Sequence, residues 1–211
     1  GKELKSGCPE CGRAIREKSE AVELANKAME LRATMERKLG AALIPKRFAG
    51  KTLDGYVATT AEQRKALNTC RRYAAEFSQI SESGRCLLLL GKPGTGKTHL
   101  SVGIANEIMA KSSATAVYRT IGSVLQAIRA TYDRANEQSE SQILSSLVSP
   151  SLLILDEIGV SKEKPSDFEL TTLFAIINGR YEEMRPTVIV SNLDGQSLPA
   201  AIGERCIDRL R

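Results

Sequence analysis

The sequence is poor in residues that mark several common classes of protein. Among its 211 residues there is no tryptophan, one histidine and 4% aromatic residues, which excludes a nucleic-acid surface built from many stacked rings. No apolar run approaches the roughly 20 residues of a membrane-spanning helix. The longest, Cys86–Leu90, has the length of a buried strand. With 42% hydrophobic and 26% charged residues, the composition is that of a soluble α/β domain with an appendage.

Cysteine and charge also limit the possibilities. Five scattered cysteines do not form a disulfide framework in a chain of this size, and we expect Cys70, Cys86 and Cys206 to be buried thiols without a chemical role. The net charge of +5 suits nucleic acid or any acidic partner. Residues 1–13 are polar and lack the apolar segment of a secretory signal, so we expect a cytoplasmic location.

Cys8 and Cys11 form half of a zinc knuckle in the segment Cys-Pro-Glu-Cys-Gly. Two thiolates at this spacing can bind one side of a tetrahedral Zn²⁺. Four ligands are required, however, and the sequence has no second Cys-x-x-Cys pair. A zinc site therefore stands as one hypothesis beside an unmetallated pair and a site completed by another chain.

The sequence divides into three regions that differ in composition and in the spacing of apolar residues. Residues 1–43 form an N-terminal partner-binding segment, helical by pattern from about Ile15 to Leu43, and residues 44–60 form a linker that opens with Ile-Pro-Lys-Arg-Phe. Apolar residues in the helix recur at steps of three and four and share one face: Leu24, Ala28, Leu31 and Met35. Residues 61–211 form the main domain.

The main domain alternates short apolar strands with helices, which predicts a parallel sheet covered on both faces. We predict strands at residues 85–90, 114–119, 151–155 and 187–190. The predicted helices cover residues 61–79, 97–111, 121–134 and 168–183, with a short one ending at Pro150.

A complete phosphate-binding loop follows the first strand. Its sequence, Gly91-Lys92-Pro93-Gly94-Thr95-Gly96-Lys97-Thr98, matches G-x-x-x-x-G-K-[ST]. The glycines let successive backbone N–H groups converge on a β-phosphate, which also lies at the positive end of the next helix. Lys97 can bind the β- and γ-phosphate oxygens, and the Thr98 hydroxyl can bind Mg²⁺. The pattern therefore predicts binding of Mg·ATP.

Polar residues end two later strands. Asp156 and Glu157 follow Leu-Leu-Ile-Leu, so Asp156 can hold Mg²⁺ and Glu157 can orient or deprotonate an attacking water. Asn192 follows the fourth strand and can contact the γ-phosphate or the water, unless Ser191 and Asn192 only turn the chain. A carboxylate at this place favours ATP hydrolysis.

These elements resemble the AAA+ ATPase domain and, more narrowly, the DnaC-type replicative helicase loaders. The segments that carry the resemblance are residues 91–100, 152–160, 190–193 and 203–211. It implies a P-loop NTPase (AAA+) fold, with Asn192 as sensor 1 and Arg209 as the arginine finger that enters a neighbour's ATP site. Arg205 is the second choice for the finger. The alternative interpretation is a basic helix end that only favours the helix dipole. His99 matches a family residue that lies beside the nucleotide. The resemblance implies a packing role for it rather than a catalytic one.

The resemblance also implies contacts to single-stranded DNA. Tyr132 falls at the family's aromatic position near the end of the predicted helix 121–134, with Arg129 and Arg134 beside it. Phe168, with Ser166 before it, matches a second contact. Burial in the core is the competing interpretation for both rings.

The function that the resemblance implies is loading of a hexameric, DnaB-type replicative helicase onto single-stranded DNA. ATP would bind between self-associated subunits, and the N-terminal segment would face the helicase. The family continues beyond the Asp-Arg-Leu helix into a further strand with a sensor-2 residue, which the resemblance places after Arg211. Two alternatives stay open: a transposition helper ATPase of the same superfamily, and a small-molecule P-loop kinase.

Overall fold

A computed structural model describes residues 9–133, 138–159 and 165–210 of the chain. By its internal contacts the chain divides into two compact units, residues 1–37 and residues 38–211. The second unit includes the end of the first helix and the predicted linker as well as the predicted main domain.

The N-terminal helix is long and largely exposed. Helix α1 (Pro9–Ala41) begins six residues before the predicted start, and Leu24 on its predicted apolar face is 72% exposed. Cys11 lies in its first turn, but the side chain of Cys11 and the whole of Cys8 fall outside the described part. The described residues contain no cluster of three or more potential metal ligands, and zinc stays a prediction.

Four parallel strands form the sheet of the second unit, as the sequence predicts. They are β1 (Leu87–Leu90), β2 (Ala116–Thr120), β3 (Leu152–Ile158) and β4 (Thr187–Ser191). The strand order is β1-β4-β3-β2, so β4 lies between the strand before the phosphate loop and the strand that carries the two acids. All three functional strand ends therefore meet at one edge of the sheet.

Eight further helices are present in the described part of the second unit. They are α2 (Ala61–Ala75), α3 (Phe77–Ser83), α4 (Lys97–Lys111), α5 (Ile121–Ala130), α6 (Glu140–Val148), α7 (Asp167–Glu182), α8 (Leu198–Ile202) and α9 (Glu204–Leu210). No described helix joins sufficient length to sufficient apolarity for crossing a bilayer.

Two further helix predictions are wrong. The predicted helix 61–79 is two helices that break at Glu76. The predicted helix 121–134 ends at Ala130, where the Thr131 hydroxyl bonds back to the Ile128 carbonyl at 2.7 Å and the chain turns. Tyr132 therefore lies in a turn, and Arg134 lies outside the described residues.

Side chains from the two faces of the sheet enter two separate layers. Leu153, Leu155 and Ile189 pack into the apolar cluster formed by helices α5 to α9, whereas α4 packs across all four strands. The thiols of Cys70 and Cys206 are buried and Cys86 is half-buried. Burial raises the pKa of Cys70 to about 12 and that of Cys206 to about 11, so both thiols stay protonated.

Arg180 on α7 is fully buried and bonds to the end of α6 and to the segments that lead into β3 and β4. It is 1% exposed, and all of its bonding partners are oxygen atoms. Its guanidinium donates to four carbonyls and one hydroxyl over 2.7–3.0 Å: Leu147, Val148, Pro150, Pro186 and Thr187 Oγ1. Two of these carbonyls end α6, where helix carbonyls lack partners within the helix.

We expect Arg180→Ala to lower the free energy of unfolding by at least about 3 kcal/mol, because it leaves several buried carbonyls without donors. Urea unfolding followed by circular dichroism measures the change. The matched control is Arg185→Ala, which removes a guanidinium bonded to Ser149 nearer the surface and should cost under about 1 kcal/mol. Equal losses in the two variants would contradict the role of Arg180.

Candidate functional site

The phosphate loop has the backbone conformation that its glycines allow. Gly91, Gly94 and Gly96 have φ values of 131°, 78° and 84°, in the region that favours glycine. At Gly96 a second constraint applies, because a Cβ atom there would lie 2.5 Å from Tyr56 Cε2. Gly96 then caps α4, which begins at Lys97, so the helix N-terminus faces the loop.

Residues 49–56, which we call the strap, bind along α4. Asn106 Nδ2 donates to the carbonyls of Ala49 and Lys51 at 3.0 and 2.8 Å. Leu53 is 2% exposed and packs against Gly103, where a Cβ atom would lie 2.8 Å from its Cδ2. The segment predicted to be a linker is therefore part of the nucleotide domain.

The far end of the strap holds the phosphate loop itself. The Tyr56 hydroxyl donates to the Thr95 carbonyl at 2.6 Å. His99 Nε2 lies 2.8 Å from the Thr52 carbonyl, which requires the proton on Nε2, and its ring meets the Tyr56 ring edge-on at 5.3 Å. These contacts occupy a loop carbonyl with a donor from the strap, and they give His99 a packing role.

Lys97 bonds to oxygen atoms of the protein at the mouth of the loop. Its Nζ donates to the carbonyls of Gly91 and Lys92 at 2.7 and 2.9 Å and to Asn192 Oδ1 at 2.9 Å. Burial lowers the pKa of Lys97, and the negative charge of Asp156 opposes that shift. An ammonium group with three oxygen ligands can exchange them for phosphate oxygens without a change of protonation.

Asp156 is the centre of a buried network. Its Oδ2 accepts from the Thr98 hydroxyl at 2.7 Å and from the Tyr118 hydroxyl at 2.9 Å, and its Oδ1 accepts from the Glu157 backbone N–H at 2.7 Å. Because the Thr98 proton is committed to Asp156, the lone pairs of the Thr98 oxygen are free for a cation. Thr98 and Asp156 therefore fit Mg²⁺ bound by the hydroxyl and, through water, by the carboxylate.

Glu157 projects from a strained point in β3. Its φ is 61°, which is rare for a residue with a side chain, and the register with β4 shifts between Leu155 and Ile158. The result is an exposed Glu157 between buried Asp156 and Ile158. Ser191 stabilises this irregularity by donating to the Ile158 carbonyl at 2.6 Å. Such strain marks functional positions and here turns a carboxylate out of the sheet.

A cavity of about 850 Å³ adjoins the loop. Its walls combine the leucines of β1 with Tyr56 of the strap, the N-cap residue Thr60 and side chains of α2 such as Gln63. A space of this size with apolar walls and a few polar groups is typical of a small-molecule site, and it can hold the base and ribose of a nucleotide.

Arg209 lies on another helix pair. Its guanidinium is 4.6 Å from the centre of the Tyr181 ring, and its Nε donates to Asn178 Oδ1 at 3.2 Å. Both partners are on α7. Arg205, the second choice, is exposed. The described contacts thus join neither arginine to the phosphate loop of its own chain.

The predicted DNA contacts divide into two kinds. The Arg129 guanidinium lies 5.3 Å from the centre of the Phe168 ring, and Tyr132 is 64% exposed. Phe168 is half-buried against the core, and the Ser166 hydroxyl caps α7 by accepting from the Glu169 N–H. Arg129 and Tyr132 are exposed, whereas Phe168 and Ser166 are tied to the core and to the start of α7.

Hydrogen bonds bring Lys97, Thr98, Asp156 and Asn192 together, with Glu157 beside them. Two contributors escaped the sequence reasoning: Tyr118 and Tyr56. The motifs contain neither residue, because each reaches the site through strand register or the path of the strap. The one signal for Tyr118 is its place one residue before the end of the predicted second strand.

Comparisons with known proteins show the family of the chain. A family model described as IstB-like ATP binding protein matches residues 20–207. The replicative helicase loader DnaC of Escherichia coli (strain K12) is 33% identical over 211 residues, which is 100% of this chain and 80% of that protein. The loader DnaC of Buchnera aphidicola subsp. Acyrthosiphon pisum (strain APS) is 33% identical over 92% of this chain and 74% of its own length.

Solved structures resemble the fold. The crystal structure of the DnaC helicase loader superposes with a TM-score of 0.69 at 25% identity, over 79% of this chain and 94% of that one. The crystal structure of DnaI gives a TM-score of 0.66 at 23% identity, over 80% and 90%, and supports the fold alone. The chain therefore belongs to the IstB-like ATP-binding family and, within it, to the DnaC-type replicative helicase loaders.

Proposed function

We propose that this chain is an ATPase that loads a hexameric, DnaB-type replicative helicase onto single-stranded DNA in the cytoplasm. The observation that carries the proposal is the hydrogen-bonded convergence of Lys97, Thr98, Asp156 and Asn192, in a chain aligned over its whole length with a helicase loader. ATP binding favours assembly and the grip on DNA, and hydrolysis releases the loader.

The residues of one chain supply most of the hydrolytic site. The loop N–H groups and Lys97 bind the phosphates, and Thr98 with Asp156 holds the metal end. Bound Mg²⁺ would neutralise charge that develops on the phosphates. Glu157 accepts the proton of an attacking water, and Asn192 exchanges its bond with Lys97 for the water or the γ-phosphate. Each role uses a group whose position is described above.

A neighbouring subunit completes the site. Arg209 is held against Tyr181 and Asn178 of α7, and a guanidinium fixed by a ring and an amide keeps donors for a phosphate. Supplied in trans, it stabilises the charge on the transferred phosphoryl group. Self-association is therefore a condition for hydrolysis in this proposal.

Arg129, Tyr132, Ser166 and Phe168 form the proposed contact with single-stranded DNA. The exposed Tyr132 ring offers one stacking surface, and the Arg129 guanidinium, which lies over the Phe168 ring, offers one phosphate partner. Cys8 and Cys11, if they bind zinc with ligands from elsewhere, would order the N-terminal segment that faces the helicase.

The transposition-helper alternative shares every part of the nucleotide site, and the name of the matching family model is compatible with it. It differs in its partners, because a helper would bind duplex DNA without contact to a helicase. The loader proposal is preferred since relatives aligned over 92–100% of this chain are named helicase loaders. A metabolite kinase would not depend on Arg209 of a neighbour.

We expect Glu157→Gln to bind Mg·ATP normally and to hydrolyse it at least about 100-fold more slowly, because the base for the water is lost. The trapped protein should co-purify with the replicative helicase of its host in Mg·ATP, as measured by size-exclusion chromatography. Lys97→Ala should not bind ATP, and its co-purification with the helicase should not respond to ATP.

The exposed Glu82→Gln serves as the control for loss of one carboxylate and should behave as the wild type. Normal turnover by Glu157→Gln would remove Glu157 from its role. Binding to duplex DNA, with no helicase bound in any nucleotide state, would favour the transposition helper.

We expect Arg209→Ala to lower hydrolysis at least about 100-fold while ATP affinity stays unchanged, because the residue acts on a neighbour's phosphate. Mixed in equal amounts, Arg209→Ala and Lys97→Ala should recover about a quarter of the wild-type rate, since about one interface in four pairs an intact loop with an intact finger. Assays with DNA and helicase present measure the rates. If the mixture hydrolysed no ATP, or if Arg205→Ala gave the same rates alone and in the mixture, Arg209 would be rejected as the arginine finger.

We expect Tyr132→Ala to weaken binding of an oligothymidylate about tenfold through the loss of one stacked base. Arg129→Ala should weaken it and lower the salt dependence by about one phosphate contact. Fluorescence anisotropy at several salt concentrations measures both, with Arg64→Ala on the exposed face of α2 as the control for loss of charge. Unchanged affinity in both test variants would show that DNA binds elsewhere.

A further inference from the structure

Tyr118 reaches the proposed metal end of the nucleotide site from the edge strand β2. In the register of the sheet Tyr118 pairs with Ile154, and Thr120 pairs with Asp156. Because side chains two residues apart point to the same face of a strand, Tyr118 and Asp156 share the face covered by α4. The Tyr118 side chain is 6% exposed, and its hydroxyl ends 2.9 Å from Asp156 Oδ2.

The bond to Tyr118 completes the set of donors around Asp156. An ionised carboxylate offers about four lone-pair positions. Thr98 and Tyr118 occupy the two on Oδ2, and the Glu157 N–H occupies one on Oδ1. One position on Oδ1 stays available among the described contacts, and the other three bonds fix where it points.

We propose that Tyr118 is a positioning residue for the metal end of the site: its hydroxyl locks the Asp156 carboxylate so that Oδ1 presents one lone pair to metal-bound water. The inference rests on the proposed function for the identity of the metal. Partners in this position fix the orientation of carboxylates near metals, and their loss commonly weakens metal binding about 10- to 100-fold.

Tyr118 is itself held firmly enough for this task. Its backbone N–H donates to the Ala42 carbonyl at 2.8 Å, which fixes β2 at its outer edge. Burial and the neighbouring Asp156 raise the pKa of the Tyr118 hydroxyl far above the working range, so the group stays a donor. The ring is buried, and removal of the hydroxyl alone keeps the ring in place.

The test is Tyr118→Phe, which deletes the hydroxyl and keeps the ring. We expect the Kd for a fluorescent ATP analogue in EDTA to stay within about twofold of wild type, because the loop and Lys97 are untouched. The gain in affinity on adding Mg²⁺ should shrink about tenfold, and the half-saturating Mg²⁺ concentration should rise in proportion. Electron paramagnetic resonance of Mn²⁺ with the bound nucleotide reads the metal directly, without turnover.

Tyr73→Phe is the matched control. Tyr73 is 5% exposed, and its hydroxyl donates at 2.9 Å to the Arg85 carbonyl, so the same atom is lost at an equally buried place. Wild-type metal dependence in Tyr118→Phe would overturn the inference, as would equal losses in both variants, which indicate general destabilisation. A wild-type protein that gains nothing from Mg²⁺ would instead reject the proposed function.

Discussion

The hydrogen bond between the Thr98 hydroxyl and the Asp156 carboxylate joins residues that are 58 positions apart in the chain. It can form only if the first turn of α4 and the end of β3 lie side by side. That arrangement requires the parallel register of the sheet, with β4 inserted between β1 and β3. The Lys97–Asn192 bond at 2.9 Å then follows, because β4 ends between the loop and the acids.

Regular strands and helices place the polar groups of the site close together, and irregular backbone sets the direction in which they point. The loop needs positive φ at three glycines, and β3 needs the same at Glu157, where a side chain makes it costly. The Ser191 bond to the Ile158 carbonyl offsets that cost beside Glu157, and the Tyr56 bond to the Thr95 carbonyl stabilises the phosphate loop. The strained residues are thus surrounded by regular, buried structure that determines their conformation.

Sequence reasoning predicted the parts that depend on local pattern. The phosphate loop, the Asp-Glu pair and the alternation of strands with helices have short-range signatures, and the parallel sheet is confirmed. Tyr118 and Tyr56 were missed because their contacts depend on strand register and on the path of residues 49–56, which no periodicity encodes. The break at Glu76 and the helix end at Ala130 were missed because apolar spacing continues across both.

Arg209 differs from the other proposed site residues, because its described contacts are with α7 and not with the phosphate loop of its own chain. Within a single chain, Lys97 bonds to Asn192 and Thr98 bonds to Asp156. Arg209 instead stacks on Tyr181 at 4.6 Å, on helices α7 and α9. The proposed function therefore has Arg209 act on the phosphate of a neighbouring copy. In this proposal, ATP hydrolysis therefore requires assembly, because Arg209, which accelerates the reaction, comes from the neighbouring copy.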